Sequence, residues 1–236
     1  MRNATAFAST DARCDGVVLL HGIGVGSWSL KRLERALQRR GFATLNLDYA
    51  SRKKPLEALA EDIHPPIAEF AQQCDGSIHF VAHSMGGLLA RLYIANHRPA
   101  RLARVVMLGT PNGGSEVADL LMDLSIYRAV FGPAGLQLST AQDPVLAALP
   151  PPDYAVGIIA GCRTIAPIAS LLVLPRPNDG RVSVASSKLA DMADHFIIKA
   201  SHTGLPRHPA AIDQTIAFLR AGRFRSPAHR EHSVTP

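Results

Sequence analysis

The chain has 236 residues, 47% of them apolar and 19% charged, a composition that favours one folded domain with a sizeable core and excludes a disordered chain. Three scattered cysteines exclude a disulfide framework, and the net charge of +6 is carried without interleaved aromatic residues, so we expect no nucleic-acid partner. No apolar run reaches the about 20 residues of a membrane span, and residues 1–15 lack the apolar core of a secretory signal, which predicts a cytoplasmic location without stable membrane insertion.

The first half of the chain alternates short apolar runs with amphipathic segments. The predicted strands lie at residues 16–20, at residues 42–47 and from residue 78 onward. A helix capped by Ser29 and ended by Gly41 follows the first strand. A second helix begins at Pro55, and Pro65-Pro66 should kink or split it.

The second half of the chain contains three more apolar runs typical of strands and one final amphipathic helix. The strands are predicted at residues 105–108, 154–160 and 195–199, and the helix at about residues 209–221. These elements place one domain at residues 16–222. We expect a flexible lead-in at residues 1–15 and a disordered basic tail at residues 223–236.

The alternation of strands and helices predicts an α/β fold. We expect a doubly wound, mostly parallel sheet of about six strands with helices on both faces. Ligands of such sheets bind where the carboxyl ends of the strands meet. Four polar or glycine-rich loops follow predicted strands and should converge at this edge, namely residues 21–26, 83–87, 178–180 and 201–204.

Ser84 stands at the turn between a predicted strand and a predicted helix. Such a turn lifts a side chain above the sheet edge, and the N–H groups at the helix start favour an oxyanion. The alternative is a serine that only caps the helix. We predict a nucleophile, because small residues on both sides of Ser84 are what a strained strand-to-helix elbow needs.

A serine nucleophile needs a base and a third group that orients the base. His202 is predicted as the base because it follows a late strand, whereas His195 begins that strand and should lie at the opposite edge. The acid that orients the base should follow the preceding strand at the same edge, and Asp179, between the fifth and sixth predicted strands, is predicted to orient His202, although Asn-Asp-Gly is also a plain turn signal. Three other acids precede strands and should lie at the wrong edge, namely Asp153, Asp191 and Asp194.

Two backbone N–H groups are predicted to stabilise the oxyanion. One belongs to Met85, the residue after the nucleophile, and the other to Ile23, in the glycine-rich loop after the first strand. The same loop also fits a tight turn that feeds a helix, and both descriptions can hold together. His21 is expected to brace this loop rather than to transfer protons.

Five motifs, in this order, resemble the α/β-hydrolases and more narrowly the small bacterial lipases and lipase-like esterases. They are Val18-Leu19-Leu20-His21-Gly22, Ala82-His83-Ser84-Met85-Gly86-Gly87, Gly109-Thr110-Pro111-Asn112-Gly113-Gly114-Ser115, Asn178-Asp179-Gly180-Arg181-Val182 and Ser201-His202-Thr203. The resemblance implies a triad in the order Ser84, Asp179, His202, with acyl transfer to the serine and attack by water on the acyl-enzyme. Ala82 departs from the glycine that usually begins the elbow, but the small bacterial lipases share this alanine.

Residues 115–150 follow the strand after the elbow and are the least regular part of the chain. In a fold of this kind the segment can overhang the site as a lid, with Leu120, Leu121 and Phe131 contacting the acyl chain of the substrate. The alternative is that its apolar residues only cover the sheet. We expect a small-molecule acyl ester as substrate, of short to medium chain length or a lipid, and neither a cofactor nor a metal.

Other functions stay open at this point. Gly22-Ile23-Gly24-Val25-Gly26 with Asp48 imitates a dinucleotide-binding fingerprint, but its third glycine is misplaced. A catalytically silent hydrolase fold that serves as a binding module is a second alternative. An acyltransferase, thioesterase or amidase would share the triad, and the sequence discriminates poorly among them.

Overall fold

A computed structural model of the protein describes residues 14–114, 132–138, 143–164 and 174–226. These residues form a six-stranded sheet in which every neighbouring pair of strands is parallel. The strands are β1 (Gly16–Leu20), β2 (Ala43–Leu47), β3 (Ile78–His83), β4 (Leu102–Leu108), β5 (Ala155–Gly161) and β6 (Asp194–Ile198). Their order across the sheet is β2-β1-β3-β4-β5-β6, which confirms the predicted parallel α/β architecture.

Helices cover both faces of the sheet, as predicted. The longer ones are α1 (Lys31–Gln38), α2 (Leu56–Gln73), α3 (Met85–His97) and α4 (Pro209–Ala221), and short helical turns lie at Ser27–Leu30, Pro144–Ala147, Val184–Ser187 and Leu205–Arg207. Val18 and Phe80 belong to the core beneath α2 and α3, whereas Val17 and Val81 belong to the core beneath α1 and α4. Because successive residues of β1 face opposite helix layers, this central strand is a continuous buried apolar run.

The winding of the chain reverses at β1. The connection through α1 leads outward to β2, and the connection through α2 returns to β3 on the other side of β1. The loops after β1 and β3 therefore depart in different directions and leave a crevice at the carboxyl edge. Leu20 of β1 pairs with Ala82 of β3, so the loop that begins at His21 lies beside the elbow at Ser84.

Two local details differ from the predictions. Pro65-Pro66 do not split α2, which continues from Leu56 to Gln73. A proline in a helix interior costs about 3 kcal/mol, and we attribute the continuity to the buried residues Ile63 and Ile67, which anchor the helix on both sides of the prolines. Ser29 does not cap α1, because it lies inside the Ser27–Leu30 turn and its hydroxyl donates to the carbonyl of Gly26.

The packed part of the chain extends beyond the predicted boundary at residue 222. Phe224 is buried against Phe218, and its backbone N–H donates to the carboxylate of Asp194. Residues 1–13 and 227–236, on which most of the predicted lead-in and tail fall, lie outside the described residues. No helix within the described ranges combines the length and the apolar character needed to cross a membrane.

Candidate active site

Ser84 has a backbone conformation that L-residues rarely adopt. Its φ is 56° and its ψ is −129°, between the end of β3 and the start of α3. The residue occupies the N-cap position of α3, but its side chain makes no capping hydrogen bond. The hydroxyl of Ser84 instead lies 2.9 Å from Nε2 of His202, which argues against the alternative of a purely capping serine.

His202 lies in the loop after β6 and connects Ser84 to Asp179. Its Nδ1 is 2.8 Å from Oδ2 of Asp179, and its backbone N–H donates to the carbonyl of Asp179 over 3.0 Å. A carboxylate can only accept, so Nδ1 carries the proton and Nε2 is left to accept the hydroxyl proton of Ser84. All three residues are buried, at 8% exposure for Ser84, 4% for His202 and 2% for Asp179.

The Asp179 carboxylate is held ionised by its surroundings. Its Oδ1 accepts the backbone N–H groups of Arg181 and Val182, over 2.9 and 2.8 Å. Burial by itself raises the pKa of this carboxyl, but the neighbouring His202 imidazole and the hydrogen bonds outweigh burial and hold the pKa below its usual range. The residues that follow the Asn178-Asp179-Gly180 turn signal, Arg181 and Val182, therefore supply the donors that hold the Asp179 carboxylate.

His83 supports the same loop through a contact that was not predicted from the sequence. Its Nε2–H donates to the carbonyl of His202 over 3.0 Å, and the two imidazole rings lie 4.9 Å apart. Burial, reinforced by the neighbouring His202, lowers the pKa of His83 to about 3. His83 therefore stays neutral near pH 7 and fixes the backbone of His202 through a single hydrogen bond.

The two predicted oxyanion donors, Ile23 and Met85, belong to the loop after β1 and to the first turn of α3. Within the described residues, neither the N–H of Ile23 nor the N–H of Met85 has a protein acceptor. A Cβ atom added at Gly22 would lie 3.1 Å from Cβ of Ser84, so the loop after β1 lies directly against the elbow. A Cβ atom at Gly86 would lie 2.5 Å from the carbonyl oxygen of Leu20, which shows how closely α3 approaches the end of β1.

His21 braces the loop after β1 together with Tyr49. The two rings stack at 4.0 Å with an interplanar angle of 9°, and the Tyr49 hydroxyl donates to the carbonyl of His21. Nδ1 of His21 lies 2.8 Å from the carbonyl of Gly22. Burial lowers the pKa of His21, so the ring is neutral and acts as a fixed prop. The contribution of Tyr49 was not predicted, because it depends on a contact across β1 and β2.

The alternative candidates for the base and the orienting acid lie away from Ser84. His195 is at the start of β6, with Nε2 3.4 Å from the hydroxyl of Ser187. Asp194 also begins β6, and Asp153 precedes β5 and pairs with Arg98. These positions belong to the amino edge of the sheet, opposite to Ser84. The Asp48 carboxylate accepts the backbone N–H of Ser27 over 3.0 Å. The dinucleotide-binding alternative does not account for this hydrogen bond.

The substrate-contacting residues predicted in the irregular segment, Leu120, Leu121 and Phe131, lie outside the described residues. Residues 132–138 of that segment pack against the core beneath α2 and α3. Leu138 belongs to this core, and the backbone N–H of Leu56 donates to the amide oxygen of Gln137. Within the described ranges, no group of three or more histidine, cysteine or acidic side chains is arranged to hold a metal ion.

Comparison with known sequences identifies the family. A sequence model of the alpha/beta hydrolase family matches residues 17–230. Triacylglycerol lipase 2 from Saccharomyces cerevisiae is 29% identical over 132 residues, which cover 48% of this chain and 40% of that protein. Methylesterase 7 from Arabidopsis thaliana is 31% identical over 99 residues, which cover 39% of this chain and 38% of that protein. The matched stretches thus span about two fifths of these curated relatives.

A solved structure shares the fold over nearly the whole chain. The crystal structure of the Bacillus licheniformis lipase BlEst2 in its mature form superposes with a TM-score of 0.72 at 17% identity. The superposition covers 92% of this chain and 96% of that one. At this level of identity the likeness concerns the fold alone.

Proposed function

The chain belongs to the alpha/beta hydrolase family, and from that premise we propose that it is a serine hydrolase that cleaves carboxylic esters through an acyl-enzyme on Ser84. The observation that carries the proposal is the pair of hydrogen bonds from Ser84 Oγ to His202 Nε2, 2.9 Å, and from His202 Nδ1 to Asp179 Oδ2, 2.8 Å. Distances of this kind permit proton transfer between a nucleophile and a positioned base.

Acylation follows from this geometry. As Ser84 Oγ attacks the ester carbonyl carbon, its proton passes to Nε2 of His202, and the charge that develops on the imidazole is stabilised by the ionised Asp179. The tetrahedral intermediate collapses when the bond to the alcohol oxygen breaks. His202 then donates its proton to that oxygen, the alcohol leaves, and the acyl group remains on Ser84.

Deacylation repeats the same steps with water. His202 takes a proton from a water molecule, whose oxygen attacks the acyl-enzyme carbonyl, and returns the proton to Ser84 Oγ as the carboxylic acid is released. In both acylation and deacylation, the oxyanion of the tetrahedral intermediate forms beside the turn at Ser84. The uncommitted N–H groups of Ile23 and Met85, together with the N-terminus of α3, favour that charge there.

The substrate class rests on the relatives and on the chemistry together. The two curated relatives are named as a triacylglycerol lipase and a methylesterase, and the similar solved structure is named as a lipase. An ester of short to medium chain, or a lipid ester, is the substrate that fits these names and an activated serine. We retain the hypothesis that the 115–150 segment contacts the acyl chain, and replacing it by a short loop should then change chain-length preference.

A panel of p-nitrophenyl esters and matching thioesters of increasing chain length tests this function. Wild-type protein should hydrolyse the esters, and Ser84→Ala and His202→Ala should each lower kcat by about 10⁴-fold or more. His195→Ala is the matched control, because it removes a histidine from the opposite edge, and it should keep most activity. Equal turnover by Ser84→Ala would refute the proposal, and faster thioester than ester turnover would move it to a thioesterase.

A further inference from the structure

The loops that surround Ser84 carry a strongly one-sided charge. The loops that follow β1, β2, β5 and β6 comprise residues 21–30, 48–55, 162–164, 174–182 and 199–208. Within them, eight basic side chains are all exposed, namely Arg52, Lys53, Lys54, Arg163, Arg176, Arg181, Lys199 and Arg207. The same described loops hold two carboxylates, Asp179, which is buried in the candidate active site, and Asp48, which is exposed. These four loops therefore form a cationic part of the carboxyl edge of the sheet, which we call the cationic edge.

Most of this charge is not neutralised by neighbouring acids. Lys54 pairs with Asp62 over 2.7 Å. Arg52, Lys53 and Arg207 have no carboxylate within ion-pair distance in the part of the chain that the structure describes. Clustering like charges is unfavourable for the free protein, so an uncompensated cationic edge indicates an anionic partner.

An exposed tryptophan lies in the same surface. Trp28 lies in the loop that follows β1, is 59% exposed, and has the guanidinium of Arg207 5.5 Å from its ring centre. Tryptophan beside basic residues is typical of the layer where protein meets lipid headgroups, since the indole is apolar but carries one N–H donor. A nucleic-acid surface would instead favour several aromatic rings on which successive bases stack.

We propose that this cationic edge, with Trp28 at its rim, is a docking surface for an anionic lipid bilayer. Docking in this orientation turns the crevice between the β1 and β3 loops toward the lipid, which would deliver lipid esters to Ser84. The contact is peripheral: headgroup charges attract the basic side chains, and Trp28 enters the interface without any spanning element. The binding step does not depend on hydrolysis.

The opposite edge of the sheet offers a matched control. There Arg98 pairs with Asp153, and the carboxylate of Asp194 accepts the backbone N–H of Phe224. Arg223 and Arg225 flank that residue and are exposed. Reversing both charges changes the net charge of the protein as much as reversing Lys53 and Arg207, so a general charge effect can be separated from a local one.

The test measures partition of the Ser84→Ala protein onto sedimented vesicles, so that binding is read without turnover. We expect binding to vesicles of phosphatidylcholine containing about 30% phosphatidylserine and little binding to phosphatidylcholine alone. K53E/R207E should lower the partition coefficient by about 25-fold or more, since each basic residue near such a surface is worth roughly fivefold, whereas R223E/R225E should change it little. W28A should lower it several-fold, and raising the ionic strength from about 0.05 M to about 0.5 M should release the protein.

Several results would overturn the proposal. These are equal loss of binding in the two charge-reversed variants, no binding to anionic vesicles by a folded protein, or tighter binding to a single-stranded oligonucleotide with the same dependence on Lys53 and Arg207. Circular dichroism of each variant checks that it is folded. Failure of vesicle binding leaves hydrolysis of soluble esters intact, and failure of hydrolysis leaves vesicle binding intact, so the two proposals are tested separately.

Discussion

Ser84 is a strained residue held in place by ordinary backbone hydrogen bonds. A non-glycine residue at φ 56° and ψ −129° costs about 1–3 kcal/mol. The N–H of Ser84 donates to Leu108 and its carbonyl accepts from Gly87, both over 2.9 Å, so β4 and the first turn of α3 fix the conformation. The strain thus keeps the hydroxyl within reach of His202 instead of capping the helix.

Asp179→Asn tests the orientation of His202 while the base itself stays in place. An amide can donate to Nδ1 of His202 and so favour the wrong tautomer, in which Nε2 carries the proton and cannot accept from Ser84. We expect kcat to fall by about 10⁴-fold with KM little changed, measured on a soluble ester.

The depressed pKa of Asp179 also contributes stability that is present above the carboxyl's ordinary pKa near 3.8 and is lost as the pH falls below that value. A near-normal kcat of Asp179→Asn would contradict the proposal that Asp179 orients His202.

Tyr49→Phe should weaken the oxyanion site through the loop after β1. The change removes the hydroxyl that donates to the carbonyl of His21 but keeps the ring that stacks on its imidazole. If this bond positions the N–H of Ile23, kcat should fall by roughly 10-fold or more while KM stays nearly constant, because the loss is confined to the transition state. Tyr154→Phe, which removes a hydroxyl far from this loop, is the control. Equal kcat in wild type and Tyr49→Phe would show that His21 alone suffices.

The close approach of α3 to β1 determines how Ser84 lies against the loop that follows β1. No side chain fits between Gly86 and the carbonyl of Leu20, so Gly86→Ala must push the helix away from the sheet. We expect a loss of about 1–3 kcal/mol in the free energy of unfolding and a larger relative loss of activity, since Met85 moves with the helix. Gly113→Ala is the matched control, because its added Cβ would lie in ordinary contact, 3.5 Å from Ser186.

Urea unfolding and ester turnover of the two glycine variants check this expectation. An unchanged midpoint and unchanged kcat for Gly86→Ala would mean that α3 can shift without consequence. The same measurements on Gly113→Ala should match wild type, which verifies that adding a methyl group near the site is not harmful in itself.

The sequence predicted those parts of the site that depend on strand order and local turns. Ser84, Asp179 and His202 each follow a recognisable apolar run, and parallel strands bring such loops to one edge without further information. Contacts between residues far apart in the sequence could not be predicted, because they leave no local sequence pattern. The hydrogen bond from His83 to the carbonyl of His202 and the stacking of Tyr49 on His21 depend on tertiary structure alone. The uninterrupted α2 likewise reflects tertiary packing that overrides a local helix breaker.

Buried neutral histidines affect the stability of the whole molecule. Burial lowers the pKa of His21, His79 and His83, and for His83 to about 3. In the unfolded chain these groups take up protons near pH 6.5, whereas in the folded protein they do not. The unfolded state therefore binds more protons below pH 6.5, and stability must fall as the pH is lowered through that value.

Urea unfolding followed by circular dichroism between pH 8 and pH 5 should show this dependence. The free energy of unfolding should be nearly constant above about pH 7 and decline below it, with each such histidine contributing a slope of up to about 1.4 kcal/mol per pH unit. His83→Gln keeps a donor for the carbonyl of His202 but cannot titrate, so its decline should be shallower. Identical slopes for wild type and His83→Gln would contradict a neutral, buried His83.

Covalent labelling of Ser84 by a fluorophosphonate is the most direct test of the proposed nucleophile. Such a probe reacts with a serine only when a neighbouring base removes its proton, so the reaction reports the activated state without assuming the natural substrate. Mass spectrometry of the folded protein should find a single adduct on the peptide that contains Ser84, absent from Ser84→Ala and formed far more slowly in His202→Ala. A folded wild-type protein that stays unlabelled, or that is labelled equally fast in His202→Ala, would contradict the account.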